Sequence, residues 1–258
     1  AESMKQDFPQ VVNAVRLMGG FNFSVVSYGD KYFNEPNFQY ADPSVIDMFD
    51  IEFLYGDGET ALSDIKTVVL SKKVAEKYFG DASQALGKML MFDKVSYRVS
   101  AVMKDQPETS HFFFDMLSTI ATAEALPEFE WMKSCGNNSL VTDGALDSPV
   151  SQSAVNEGFK SFLDRHVFIE KESWQYLEMY LQPVKEVYLK SGHIKFQSMS
   201  AMGDARMVTI FIVVSLLILL IACVNFINIA IARSVKRSRE VGMRKVLGAG
   251  RGSLITQF

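Results

Sequence analysis

Met207-Val-Thr-Ile-Phe-Ile-Val-Val-Ser-Leu-Leu-Ile-Leu-Leu-Ile-Ala-Cys-Val-Asn-Phe-Ile-Asn-Ile-Ala-Ile-Ala232 decides how this chain is read. These 26 residues lie between Arg206 and Arg233 and carry no charge; only Thr209, Ser215, Asn225 and Asn228 are plainly polar. As an α-helix rising 1.5 Å per residue they extend ~39 Å, more than the hydrocarbon core of about 30 Å. Residues 211–224 are apolar on every side, whereas the core helix of a soluble protein keeps a polar stripe. Position near the C-terminus excludes a signal peptide. The longest uncharged run elsewhere, residues 17–29, is 13 long and broken by Gly19, Gly20, Asn22 and Ser24. One transmembrane helix over 207–232 is therefore expected.

Working outward, charge splits at this segment. The net charge of -4 conceals seven basic residues against one acid, Glu240, after Ala232, and 19 basic against 29 acidic residues before it. Lys and Arg accumulate in short cytoplasmic flanks, so residues 233–258 are expected in the cytoplasm and 1–206 in the periplasm or an equivalent space. Asn225 and Asn228 sit three apart on one helix face. They are expected either to pack against another helix or to be satisfied by interfacial depth. The chain begins at Ala1 and stops in mid-pattern at Phe258, which suggests a piece of a longer protein.

Upstream, residues 11–15 and 21–28 read as short strand or helix pieces. Asp42-Pro-Ser44 opens a short helix over 45–49. Thr67-Val-Val-Leu70 reads as a strand, and Ser71 as the cap of a helix over 72–79 that Gly80 closes. A turn at Asp93-Lys94 joins a strand at 89–92 to one at 97–103, where Tyr97, Val99 and Ala101 alternate with Arg98 and Ser100. This order predicts an α+β extracytoplasmic domain. From 116 to 180 the texture changes. Loop signals fill 135–149, Val155, Phe159, Phe162 and Leu163 recur at helical spacing, and alternation predicts a strand over 174–181. The stretch reads as a subdomain inserted into a core of residues 1–115, with 181–206 returning to the membrane.

Catalytic chemistry is not legible. His111, His166 and His193 are scattered, with no GxSxG or HExxH pattern, and read as surface or loop histidines. Cys135 and Cys223 form neither a disulfide framework nor a zinc pattern, and no metal or cofactor is expected in this chain. Carboxylates such as Asp50, Glu52, Asp57 and Glu59 read as a solvated acidic face. The glycines at 248, 250 and 252 lack phosphate-loop spacing, and the basic tail lacks the interleaved aromatics of a nucleic-acid binder. Asn137-Asn-Ser139 matches a glycosylation sequon, a frequent chance match.

The tail is more informative. Residues 234–239 can prolong the helix into water, with Lys236, Arg237 and Arg239 reaching the headgroups. Beyond Glu240, Met243, Val246 and Leu247 form an apolar stripe with Arg244 and Lys245 on the other side. The glycines then allow a turn before a second stripe of Leu254, Ile255 and Phe258. By itself this is either a membrane-hugging amphipathic segment or a helix that docks in a partner's groove.

Arg239-Glu-Val-Gly-Met-Arg-Lys-Val-Leu-Gly-Ala-Gly-Arg-Gly-Ser253 resembles the segment after the second transmembrane helix in MacB-like and FtsX-like permeases of ABC transporters, where R-E-[IV]-G-[IM]-R-[KR]-x-[LV]-G-A recurs. Thr67-Val-Val-Leu-Ser71, Leu86-Gly-Lys88 and Tyr97-Arg-Val-Ser-Ala-Val102 are similar to the MacB-like periplasmic core domain, and Leu181-Gln-Pro-Val-Lys-Glu-Val-Tyr-Leu189 to its return toward the membrane. Residues 120–170 carry no recognisable motif. The resemblance implies one helix before the external domain and two after the tail. It also implies a dimer with a second permease copy, and a cytoplasmic ABC ATPase that holds ATP and Mg. Position by position it implies a coupling surface of Glu240, Gly242, Met243, Arg244, Lys245, Val246, Leu247, Gly248 and Ala249.

The function expected is mechanotransmission, in which ATP hydrolysis on the partner moves the periplasmic domain to export or extract an amphipathic cargo such as a peptide, lipoprotein or antibiotic. A periplasmic or outer-membrane partner is compatible with this. Two alternatives stand: an FtsX-type regulator that activates a cell-wall hydrolase, and a single-pass sensor.

Overall fold

The computed structural model describes residues 1–19, 25–92, 94–107, 110, 113–133, 140–166, 177–192, 203–248, 250 and 252. The chain divides into two units, Ala1–Met202 and Gly203–Phe258.

The first unit is built on a ten-stranded mixed sheet. At its centre lies β6 (Thr67–Ser71), whose five residues are all buried. Its Val68 and Leu70 enter one core and Val69 the other. That is the side-chain alternation of a strand covered on both faces. The other strands are β1 (Val11–Met18), β2 (Val25–Tyr28), β3 (Lys31–Asn34), β4 (Phe38–Ala41), β5 (Phe53–Tyr55), β7 (Met89–Phe92), β8 (Val95–Met103), β9 (Met116–Thr119) and β10 (Val141–Leu146). The order is β10-β1-β4-β9-β6-β8-β7-β2-β3, with β5 beside β8. β4 with β9 and β6 with β8 are parallel; the other pairs are antiparallel.

One face is covered by α3 (Lys72–Phe79) and α4 (Ile120–Glu124), which set Val74, Ala75, Tyr78, Ile120 and Ala123 on Phe38, Tyr40, Phe92 and Tyr97. The buried phenols of Tyr40 and Tyr97 satisfy each other at 2.7 Å. The opposite face is covered by Val45 of α2 (Val45–Met48) with Ala61 and Leu62, over Val15, Leu17, Met103 and Leu117. A third, smaller cluster joins Met4 and Phe8, at α1 (Glu2–Asp7), and Val11 and Ala14 of β1 to Val155, Phe159 and Phe162 of α5 (Ser151–His166).

The predicted cap and hairpin are present. The Ser71 hydroxyl accepts from the Val74 N–H, and Gly80 closes α3 at φ 82°, a conformation glycine adopts at little cost. Phe92 pairs with Val95 across the hairpin, and Tyr97, Val99 and Ala101 are buried while Arg98 is exposed. Val155, Phe159, Phe162 and Leu163 are the buried residues of α5.

Three expectations change. The strand or helix piece at 11–15 is a strand, continued to Met18. A subdomain inserted at 116 is not what the sheet shows: β9 lies between β4 and β6, and β10 pairs with β1 along the sheet edge. The strand predicted over 174–181 starts outside the described residues, and 177–181 forms none. There the Leu181 N–H donates to Asn156 Oδ1 and its carbonyl accepts from Gln152 Nε2, so side chains of α5 occupy groups a strand partner would need. Residues 184–190 form a short helix, α6 (Val184–Lys190).

Among its described residues the second unit holds one long helix, α7 (Ala205–Val246), of 42 residues and ~63 Å. Asp204 caps it through the Arg206 N–H at 2.7 Å. It is long and apolar enough to cross a membrane, and its most apolar window is entirely unburied within the unit.

Candidate functional site

The expected site residues up to Val246 lie on α7, with Leu247 and Gly248 directly after it. Thr209 and Ser215 return their hydroxyls to the carbonyls of Ala205 and Phe211, at 3.0 and 2.7 Å. Asn225 and Asn228 are exposed farther along the same helix. Each primary amide offers two donors and an acceptor oxygen, more than a side-chain bond to one helical carbonyl can satisfy, so these two are the polar positions that call for partners beyond α7.

Sequence suggested a short amphipathic segment after the span, but α7 continues unbroken through Val246. Glu240, Gly242, Met243, Arg244, Lys245 and Val246 are therefore its last two turns. Residues 233–246 contain no proline and one glycine, and their six Arg or Lys residues with Glu240 and Met243 favour helix; the final turn is closed by Arg244 and Lys245, which complement the negative end of the helix dipole. The Leu247 N–H donates to the Met243 carbonyl and the Gly248 N–H to that of Lys245, both at 3.2 Å. Gly248 then turns the chain at φ 92°. Met243, Val246 and Leu247 stand 65%, 88% and 83% exposed, an apolar end with none of this unit's described residues covering it. Ala249, Arg251, Ser253, Leu254, Ile255 and Phe258 lie outside the described residues.

Sequence reading missed the polar structure of the outer unit. Glu35, 5% exposed, accepts from Lys77 Nζ at 2.7 Å and from the Tyr78 hydroxyl at 2.9 Å. Burial and the adjacent Glu35 carboxylate push the Tyr78 phenol well above its ordinary pKa. Lys31 closes the same end of α3 by donating to the Tyr78 carbonyl at 2.6 Å. On the facing end, Asp115 accepts from Asn37 Nδ2, Ser71 Oγ and Lys73 Nζ, at 2.8, 3.3 and 2.8 Å. These clusters fasten β3 and β9 to α3. Each acid has its cation, the arrangement of a structural cluster.

Asp143 differs. It stands opposite Val15 on the edge strand β10, and its Oδ2 is buried without a hydrogen-bond partner among the described residues. Burial pushes its pKa up to about 6. No pattern in the sequence marks it, because its neighbours on the sheet come from β1.

His166 ends α5 and shares Asp7 Oδ2 with Arg165, at 2.8 and 3.1 Å. It ties α1 to α5. His111, His193, Cys135 and the sequon at 137–139 lie outside the described residues, and Cys223 is an exposed thiol on α7. Among the described residues no three His, Cys, Asp or Glu side chains converge as metal ligands would.

The family profile of the MacB-like periplasmic core domain matches residues 1–162. The uncharacterized ABC transporter permease YknZ of Bacillus subtilis is 28% identical over 196 residues, covering 74% of this chain. The chain spans 42% of that protein's length. Among solved structures, a domain described as that of a permease protein from Porphyromonas gingivalis is 26% identical with a TM-score of 0.57, covering 66% of this chain and 70% of that one. The extracellular domain of the noncanonic ABC-type transporter YknZ from Gram-positive bacteria is 18% identical with a TM-score of 0.47, over 64% of this chain and 81% of that one.

Proposed function

The chain belongs to the MacB-like periplasmic core domain family, and from that premise we propose that it is part of a permease subunit of an ABC-type transporter in a bacterial inner membrane. The observation that carries the reading is the joining, in one polypeptide, of the family's external domain to a helix that outlasts its own apolar stretch by fourteen residues, Arg233 to Val246. An external sensor domain needs only a span. A continuous helix beyond it offers a rigid arm on which a cytoplasmic engine can push.

In this reading residues 1–206 are periplasmic and α7 crosses once. Its last turns dock on a cytoplasmic ABC ATPase that holds ATP and Mg. Met243, Val246 and Leu247 fill an apolar groove, while Arg244 and Lys245 pair with acids around it. The permease works with a second copy of itself, against which Asn225 and Asn228 find partners in the membrane. Movement of the ATPase reaches the outer domain as mechanical displacement, used to export or extract an amphipathic cargo. The permease chain supplies no catalytic group.

The test is co-purification of the intact permease with its neighbouring ATPase. Arg244→Glu with Lys245→Glu reverses charge at the contact and is expected to abolish recovery of the ATPase while membrane insertion persists. Undiminished recovery counts against the coupling surface. Capture of a cell-wall hydrolase by the outer domain, in place of an amphiphile, would turn the reading toward an FtsX-type regulator.

A further inference from the structure

Four of the cations that follow the apolar stretch lie closer to it than the coupling end does. Arg233, Lys236, Arg237 and Arg239 fall within seven residues of helix, all exposed. At 3.6 residues per turn they occupy one arc of about 160°, which also holds the acid Glu240. Ser234, Val235, Ser238, Val241 and Gly242, none charged, fill the opposite side. A merely solvated helix end has no reason to segregate its charges in this way.

Depth decides what the arc meets. Counting 1.5 Å per residue from Ala232, Arg233 lies ~1.5 Å and Arg239 ~10 Å beyond the apolar stretch, whereas Arg244 lies ~18 Å beyond. The headgroup layer is roughly 5–7 Å thick on each side of the hydrocarbon. The ~39 Å apolar stretch exceeds a core of about 30 Å, so a spanning α7 accommodates by tilting, which lowers its flank toward the surface. The four cations then stand at headgroup level, within reach of their own side chains. Arg244, farther along the helix, stands roughly a Debye length of about 8 Å outside it. Three of the four are arginines, whose planar guanidinium holds phosphate through two parallel hydrogen bonds.

We propose that Arg233, Lys236, Arg237 and Arg239 form a binding surface for anionic phospholipid headgroups in the leaflet from which α7 emerges. The proposal rests on α7 spanning the membrane, but not on any ATPase being coupled to it. The surface sets how far the arm is drawn toward the membrane, and so the angle at which the coupling end is presented.

The full-length permease in mild detergent is titrated with mixed micelles carrying phosphatidylglycerol or phosphatidylcholine, and retained lipid is counted by native mass spectrometry. The wild type is expected to retain phosphatidylglycerol at least tenfold over phosphatidylcholine, and the preference should shrink as salt rises. Each cation removed weakens it about fivefold. Arg233→Gln, Lys236→Gln, Arg237→Gln and Arg239→Gln together should bring the ratio near one while ATPase co-purification persists. Because removing all four can disturb insertion, Arg237→Gln with Arg239→Gln is the second variant, expected to fall between. Arg→Lys at the three arginines should keep part of the preference. Equal retention of both lipids by the wild type, or an unchanged preference in the quadruple variant, overturns the proposal. So does displacement of the lipid by millimolar inorganic phosphate, which would mark a soluble-phosphate site. Lipid preference without ATPase recovery leaves this surface standing and removes the coupling reading instead.

Discussion

Phe8 lies against the bare Cα of Gly158, with its Cε1 well inside van der Waals contact of where a Cβ at 158 would stand. The ring cannot easily retreat, because Phe159 and Phe162 hold it at centroid distances of 5.4 and 5.7 Å. Gly158→Ala adds helix propensity of about 1 kcal/mol, but overpacking costs ~1–3 kcal/mol, and the pinned ring lets the second effect win. We expect a net loss of ~1–2 kcal/mol in urea unfolding of the intact chain. Phe8→Leu should recover part of that loss in the Gly158→Ala background while being destabilising alone. Additive losses would show that the two residues are not in contact.

Glu35 supports a second prediction, concerning the end of α3. Removing its carboxylate leaves the Tyr78 hydroxyl, among the described residues, with the Val26 carbonyl at 3.3 Å and turns the Lys77 ammonium, 4.2 Å above the Phe33 ring, toward water. Breaking one side of a buried charged cluster costs more than the cluster contributes whole, ~2–4 kcal/mol. Glu35→Ala should therefore lose about that much stability. Glu35→Gln, which can still accept from both donors, should lose less than half of it.

These two sites mark what the sequence could and could not reveal. Ser71, Gly80 and the alternation from Tyr97 act on their own neighbours in the chain, so the cap, the stop and the hairpin were all legible. β9 and β10 were not: four and six residues long, they gain their strand conformation from partners far away in sequence, β4 and β6 for one and β1 for the other. With Thr142, Asp143 and Gly144 at its middle, β10 has the composition of a turn. The alternation over 174–181 misled for the opposite reason, since period two requires a neighbouring strand to become one, and α5 side chains bind Leu181 instead. In the tail the sequence carries a resemblance to a family motif but does not reveal the continuity of the helix beneath it, because glycine at 242 and a change from apolar to basic composition resemble an ending.

Asp143 gives a pH dependence whose sign follows from its raised pKa. Folding favours the neutral acid, so the penalty is absent below about pH 4, grows as pH rises toward 6, and is fully present above the folded pKa of about 6. Asp143→Asn, neutral at every pH, should be close to the wild type in stability at pH 4 and more stable by ~2 kcal/mol at pH 7.5, allowing for partial solvent access at the sheet edge. Denaturant midpoints of both proteins at the two pH values check this. A gap of equal size at both would mean that shape, and not charge, governs the site.

The proposed arm depends on α7 being one rigid body from the membrane to Val246, and that can be broken without touching either end. Ser238 lies six residues past Ala232 and eight before Val246, on the uncharged side of the helix. Proline there removes the bond from its N–H to the Ser234 carbonyl and clashes with the preceding turn, at a cost of about 3 kcal/mol in a helix interior. Insertion should be unaffected, since the apolar stretch is intact. The coupling residues also remain, so the ATPase should still co-purify. What should disappear is transmission: nucleotide-dependent changes in protease protection of the outer domain are expected in the wild type and in Ser238→Ala, and not in Ser238→Pro. If Ser238→Pro still transmits, the last turns of α7 act as a tether that only recruits the ATPase, and force must reach the periplasm by another helix.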